Sequence, residues 1–172
     1  MRSQWAPSPT LEHILAALTY ENRLVCRVCM QTGLRVGDVL VLRPQQVEKQ
    51  RFTIKEQKTG KARRVYLPAD LVNELLKIAG RFWIFEGRND PKKHRTRQAV
   101  FKDLRRAAVL FRCRAHISPH SLRKSFAVAY FHKCGSLSKV KTLLNHSDEA
   151  VTMLYAMADC VDTGRNRKKS SY

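Results

Sequence analysis

RFTIKEQKTGKARRVYL, residues 51–67, decides the fold, because here the hydrophobic period shortens to two. Phe52 and Ile54 alternate with polar neighbours across Arg51–Lys55, and Val65 and Leu67 do the same across Arg64–Leu67. The polar run Gln57-Lys58-Thr59-Gly60-Lys61 lies between them. Two alternating runs joined by a polar, glycine-containing segment predict a β-hairpin or small antiparallel sheet whose turn carries lysines. Pro68 closes it.

On either side the spacing is helical. Leu11, Ile14, Leu15 and Leu18 form one apolar stripe, with Thr10 a candidate cap. A second helix is expected over Glu21–Gln31, burying Leu24, Val25 and Val28 and stopping at Gly33. A short helix over Gly37–Leu42 should end before Pro44. Beyond the hairpin, Asp70–Ala79 resumes helical spacing, and the basic stretch Arg88–Arg97, broken by Pro91, reads as a loop. A long helix from Arg97 to Phe111 is expected to bury Val100, Phe101, Leu104, Ala108 and Phe111. Pro119 pre-sets another helix from His120 to Lys133, Ser136 caps a further one, and a last helix holds Val151, Leu154 and Tyr155. The expectation is a mainly α chain with a small antiparallel β-sheet. Its parts are an N-terminal extension (1–9), one domain (10–158) and a basic tail (159–172).

The chain has 172 residues, 44% of them hydrophobic, enough for one domain with a substantial core. Its 33 lysines and arginines outweigh 14 acids, giving a net charge of +19. Such self-repulsion points to a polyanionic partner. No apolar run approaches the ~20 residues that cross a bilayer. The opening MRSQWAPSPT lacks the apolar core of a signal peptide, so an intracellular, cytoplasmic protein without membrane association is expected. The five cysteines are odd in number and widely spread, which argues against a disulfide framework. Cys26 and Cys29 form a single CxxC within a helical pattern, which fits core packing better than a metal site.

Singly, the chemically useful residues have ordinary explanations: a surface arginine at 35, a solvated lysine at 58, a core tyrosine at 155. Together they do not. Thr32-Gly33-Leu34-Arg35-Val36-Gly37-Asp38-Val39-Leu40 resembles the first arginine motif of the tyrosine recombinases (the phage integrase family), TGLR followed by an acid and leucines. Lys58-Thr59-Gly60-Lys61-Ala62-Arg63 resembles the hairpin bearing that family's catalytic lysine. His120-Ser121-Leu122-Arg123 resembles its HxLR box, and Leu144-Asn145-His146 its LGH box, with Tyr155 nine positions further on. Asn145 replaces the usual glycine, Lys124 stands where many members carry histidine, and Asp38 replaces the commoner glutamate.

The resemblance implies the catalytic-domain fold of DNA breaking-rejoining enzymes. It implies a catalytic set of Arg35, Lys58, His120, Arg123, His146 and Tyr155, with Asp38 in support. The chemistry suits these residue types. Attack on a phosphodiester concentrates negative charge on its non-bridging oxygens, which fixed guanidinium forks at Arg35 and Arg123 would stabilise. Tyr155 would form a 3′-phosphotyrosyl link, His120 would take its proton, His146 would donate to a non-bridging oxygen, and Lys58 would protonate the departing 5′-oxygen. Lys61 competes locally for the lysine role, and Lys55 less strongly. The scheme needs no metal or other cofactor, and the phosphotyrosine preserves the bond energy for rejoining.

Lys61, Arg63, Arg88, Lys92, Lys93, Arg95, Arg97, Lys102, Arg105, Arg106 and Lys124 are candidate DNA contacts, mostly to phosphates. The expected partners are double-stranded DNA and further protomers. These would form a tetramer on paired sites, from a chain that is monomeric when free, in the service of a phage or other mobile element. Two other readings share these features. A type IB topoisomerase has a similar set but usually lacks the histidine of HxLR, so His120 favours a recombinase. A non-catalytic DNA-binding remnant is the other. Family members usually carry an N-terminal helical domain of roughly 100 residues. A chain starting its first helix near residue 10 is expected to bind DNA weakly by itself.

Overall fold

A glycine in the left-handed region organises the first half of the chain in a computed structural model, which describes residues 6 and 8–144. Gly33 (φ 66°) terminates α2 (Tyr20–Thr32), its N–H donating to the Cys29 carbonyl at 2.8 Å. Before it lies α1 (Ser8–Ala16), which starts two residues ahead of the expected Thr10 cap. Pro9 is tolerated there because a first-turn residue needs no N–H to donate.

After Gly33 come α3 (Val36–Leu40) and α4 (Pro44–Val47). Pro44 does more than end a helix: it opens α4, where its fixed φ suits the first helical position. Strands β1 (Arg51–Lys55) and β2 (Ala62–Tyr66) pair antiparallel, with Phe52 opposite Val65 and Ile54 opposite Arg63. The hairpin is therefore as expected, but β2 begins two residues earlier than the hydrophobic pattern suggests. An arginine, Arg63, holds the inward position that would continue the alternation of Val65 and Leu67. Helix α5 (Ala69–Ile78), a loop closed by a bridge between Glu86 and His94, and α6 (Arg97–Leu110) follow. Then come α7 (Pro119–Cys134) and α8 (Leu137–Leu144). Among the described residues the chain is thus mainly helical with one small two-stranded antiparallel sheet.

The described residues divide into two units, the boundary falling after Phe126 within α7. In the first unit one apolar core gathers residues such as Ile14, Leu24, Val28, Leu40, Leu75 and Leu104, all fully buried. Cys26 and Cys29 belong to this core. Burial pushes the Cys29 thiol up to about 12 and the Cys26 thiol well above its ordinary value, so neither offers a thiolate. Among the described residues no group of three or more His, Cys, Asp or Glu gathers that could hold a metal ion.

Helix α6 corrects the expected apolar face. Val100, Leu104, Ala107 and Ala108 point inward, whereas Phe101 and Phe111 are exposed, and Phe111 lies just past the helix end. The inward position is taken instead by Asp103, which is affordable because its carboxylate is saturated with donors. Oδ2 accepts from the Thr19 N–H (2.9 Å), the Thr19 hydroxyl (3.0 Å) and Asn22 Nδ2 (2.8 Å). Oδ1 accepts from Arg106 Nε (3.0 Å) and Nη2 (2.7 Å).

In the second unit, Gly135 (φ 63°) ends α7 and the Ser136 hydroxyl accepts from the Lys139 N–H at 3.4 Å, capping α8 as expected. Among the described residues no helix is long and apolar enough to cross a membrane.

Candidate active site

The turn after α2 sets the first arginine. Thr32 folds its hydroxyl back onto the Val28 carbonyl (2.6 Å) while accepting from the Leu34 N–H (3.2 Å). Gly33 then reverses the chain, and Arg35 occupies the N-cap position of α3 in extended backbone. Its side chain is only 10% exposed, and Nη1 donates to Glu56 Oε2 at 3.0 Å.

Arg123 reaches the same turn from α7. It is buried, and its Nη1 donates to the Gly33 carbonyl at 2.6 Å. Arg63 reaches it from β2, donating to Glu56 Oε1 and to the Gly33 carbonyl, both at 3.4 Å, and to the Thr32 carbonyl. Two arginines widely separated in sequence therefore share one backbone oxygen next to Arg35.

The hairpin is tied to this turn as well. The Gln57 N–H donates to Asp38 Oδ1 at 2.8 Å, and Gln57 Nε2 to the Gly37 carbonyl at 3.4 Å. Lys58 follows directly, exposed in the turn. Thr59 Oγ1 donates to Glu56 Oε2 at 2.9 Å. His120 is exposed in the first turn of α7, three residues and so nearly one helical turn before Arg123. The Ser121 hydroxyl accepts from the Ser118 N–H at 3.1 Å, fixing the start of that helix.

The charges respond to this crowding. Burial pushes the Asp38 carboxyl up and the Glu56 charge adds to it, against the Gln57 N–H and the guanidinium of Arg35, which act downward. Glu56 goes the other way. Burial disfavours its charge, yet the Thr59 hydroxyl and the guanidinium groups of Arg35 and Arg63 together hold it below the ordinary glutamate value. Burial lowers the proton affinity of Arg63, although a guanidinium stays charged.

Arg35, Arg123 and Asp38 thus meet at one turn, with Lys58 on the hairpin bound to that turn. His146 and Tyr155 lie outside the described residues.

The basic residues expected at DNA separate into two kinds. Lys61, Arg88, Lys92, Lys93, Arg97, Lys102 and Arg105 are exposed, and Lys124 is half-buried. Arg63 is instead buried in the Glu56 network, because the strand register turns it inward. Arg95 donates to Asn22 Oδ1 at 2.7 Å, and Arg106 is engaged with Asp103 and the Ala17 carbonyl. Glu56 falls between the alternating run 51–55 and the polar run 57–61, and sequence spacing gives it no role. The signal is its sign: it is the one acid in residues 51–67.

The sequence profile of the phage integrase family matches residues 7–160. The integrase of Escherichia phage P2 is 29% identical over 143 residues, covering 83% of this chain and 40% of that protein. The tyrosine recombinase XerD of Bradyrhizobium diazoefficiens is 33% identical over 153 residues, covering 77% of this chain and 48% of that one. Among solved structures, the XerH site-specific recombinase bound to palindromic difH substrate shares the fold. Its TM-score is 0.72 at 21% identity, over 98% of this chain and 52% of that one. The chain spans less than half the length of the two curated relatives. A profile match over nearly the whole sequence, together with a relative a third identical, settles the grouping that the boxes around Arg35 and Arg123 suggested: the chain belongs to the phage integrase family of tyrosine recombinases.

Proposed function

We propose that this chain supplies the catalytic part of a site-specific DNA recombinase, with residues 10–158 as the catalytic domain, acting on double-stranded DNA inside the cell. The phenolic oxygen of Tyr155 attacks the scissile phosphorus, and the bond to the 5′-oxygen breaks. A 3′-phosphotyrosyl link and a free 5′-hydroxyl result. His120 accepts the phenol proton, and Lys58 gives one to the leaving 5′-oxygen. Arg35 and Arg123 hold the non-bridging oxygens where charge develops, and His146 adds a hydrogen bond there. Rejoining is the reverse, with the 5′-hydroxyl of a partner strand as nucleophile. The work is done by protomers assembled as a tetramer on paired sites, for a phage or other mobile element.

The observation that carries this reading is the hydrogen bond from Arg123 to the Gly33 carbonyl, two residues from Arg35. Fixed guanidinium groups converging on one turn are what a pentavalent phosphorus requires, and removing one such contact typically lowers the rate about a hundredfold. The test is a duplex nicked near the scissile phosphate, so that the released fragment diffuses away and the adduct accumulates. The wild-type chain is expected to yield a denaturant-stable adduct that peptide mapping locates at Tyr155. Tyr155→Phe should yield none while binding DNA as tightly. An adduct formed by that variant would refute the assignment.

A further inference from the structure

We infer that Glu56 is a positioning residue, which orients the Arg35 guanidinium and sets the register of the turn that carries Lys58. This rests on the roles proposed above for Arg35 and Lys58.

Glu56 is completely buried, in a chain with a net charge of +19. Its two oxygens are divided between neighbours. Oε2 accepts from Arg35 Nη1 (3.0 Å) and the Thr59 hydroxyl (2.9 Å), and Oε1 accepts from Arg63 Nη1 (3.4 Å). Each contact concerns a different part of the site. Arg35 is a phosphate-binding group, Thr59 adjoins Lys58, and Arg63 secures β2 to the carbonyls of Thr32 and Gly33. A buried carboxylate between two guanidiniums stays ionised, as the downward direction of its proton affinity agrees.

The physical consequence is orientation. An arginine side chain has many rotamers, and bringing its fork to a phosphate in one pose is entropically unfavourable unless something else holds it. Glu56 holds Nη1 of Arg35 from behind. Through Thr59 it also couples that pose to the backbone of the turn that bears Lys58. Burying a carboxylate among arginines contributes little to stability compared with apolar packing. Its location against a substrate-facing arginine is better accounted for by precision than by stability.

A merely structural ion cluster would slow every substrate alike; a positioning role would not. The test uses the full chain and a nicked duplex selected from a randomised pool by covalent capture with the wild type. Two versions of that duplex are compared, one with the ordinary scissile phosphodiester and one with an uncharged methylphosphonate. The neutral linkage makes less use of a well-placed guanidinium. Glu56→Gln is expected to slow single-turnover adduct formation on the phosphodiester by at least about tenfold, with DNA affinity nearly unchanged. On the methylphosphonate the deficit should shrink to about threefold or less. Thr59→Val, which removes one hydroxyl from a half-buried position, guards against loss of folding in the glutamine variant. It should show a smaller deficit with the same dependence on substrate charge. Equal slowing of both substrates, or no slowing in either variant, overturns the inference. If the wild type itself captures no duplex from the pool, the recombinase reading fails first and this one falls with it.

Discussion

Arg123 Nη1 lies 2.6 Å from the carbonyl oxygen of Gly33, a contact spanning ninety positions of sequence. It joins the first turns of α7 to the loop ending α2, and it makes the backbone of that loop part of the proposed catalytic site. The glycine is therefore required twice, for its left-handed φ of 66° and for the space around it.

Gly33→Ala follows directly. A methyl group there would stand 2.2 Å from Cδ1 of Phe126 and would also carry the left-handed backbone penalty. The two effects together should lower stability by roughly 2–4 kcal/mol. Urea unfolding would register this as a lower midpoint at similar slope, and an unchanged midpoint would contradict the packing described.

Asp103 should govern part of the acid sensitivity. Burial pushes its carboxyl up, but the donors on Asn22, Thr19 and Arg106 outweigh that and hold it below the ordinary aspartate value. A carboxyl depressed in the folded state stabilises the protein above its unfolded value of about 3.9, and this is lost as pH falls through the lower folded value. Glu56 contributes with the same sign. Asp103→Asn is expected to cost about 2 kcal/mol at neutral pH. It should also flatten the decline of stability as pH falls below about 4. The check is urea unfolding across that range, and a decline as steep as the wild type's would count against it.

The exposed lysines of the loop before α6 should show themselves through salt. If Lys92 and Lys93 each meet a phosphate, alanine at either position reduces the slope of log affinity against log salt by about 0.9. The pair Lys93–Asp90 at 3.6 Å is exposed and too weak to prevent this. Arg63→Met is the contrast. Being buried against Glu56, Arg63 should affect stability and leave the salt slope alone. Anisotropy titrations of labelled duplex over a salt series distinguish the two.

Much of this is legible in the sequence. The Gly33 stop, the hairpin, the loop before α6, the Ser136 cap and the core cysteines follow from residues close together in the chain, because caps, turns and periodicity are local physics. The misreadings share one cause. Hydrophobicity puts Phe101 and Phe111 inward, while Asp103 holds that side of α6 through donors on Thr19 and Asn22, more than eighty positions away. Charge alone puts Arg63 outward, while strand register and a buried partner turn it in.

Residue types and spacing determined the hairpin and most of the helices, and supplied the boxes whose resemblance named the family and the candidate catalytic groups, since each depends on neighbours or on the order of boxes along the chain. Only tertiary structure decided which charges are buried, that Glu56 stands behind Arg35, and that Arg63 and Arg123 share the carbonyl of Gly33. The reason is energetic. A charged group enters the interior only when a partner of opposite character meets it there, and that partner's position is set by how distant segments pack.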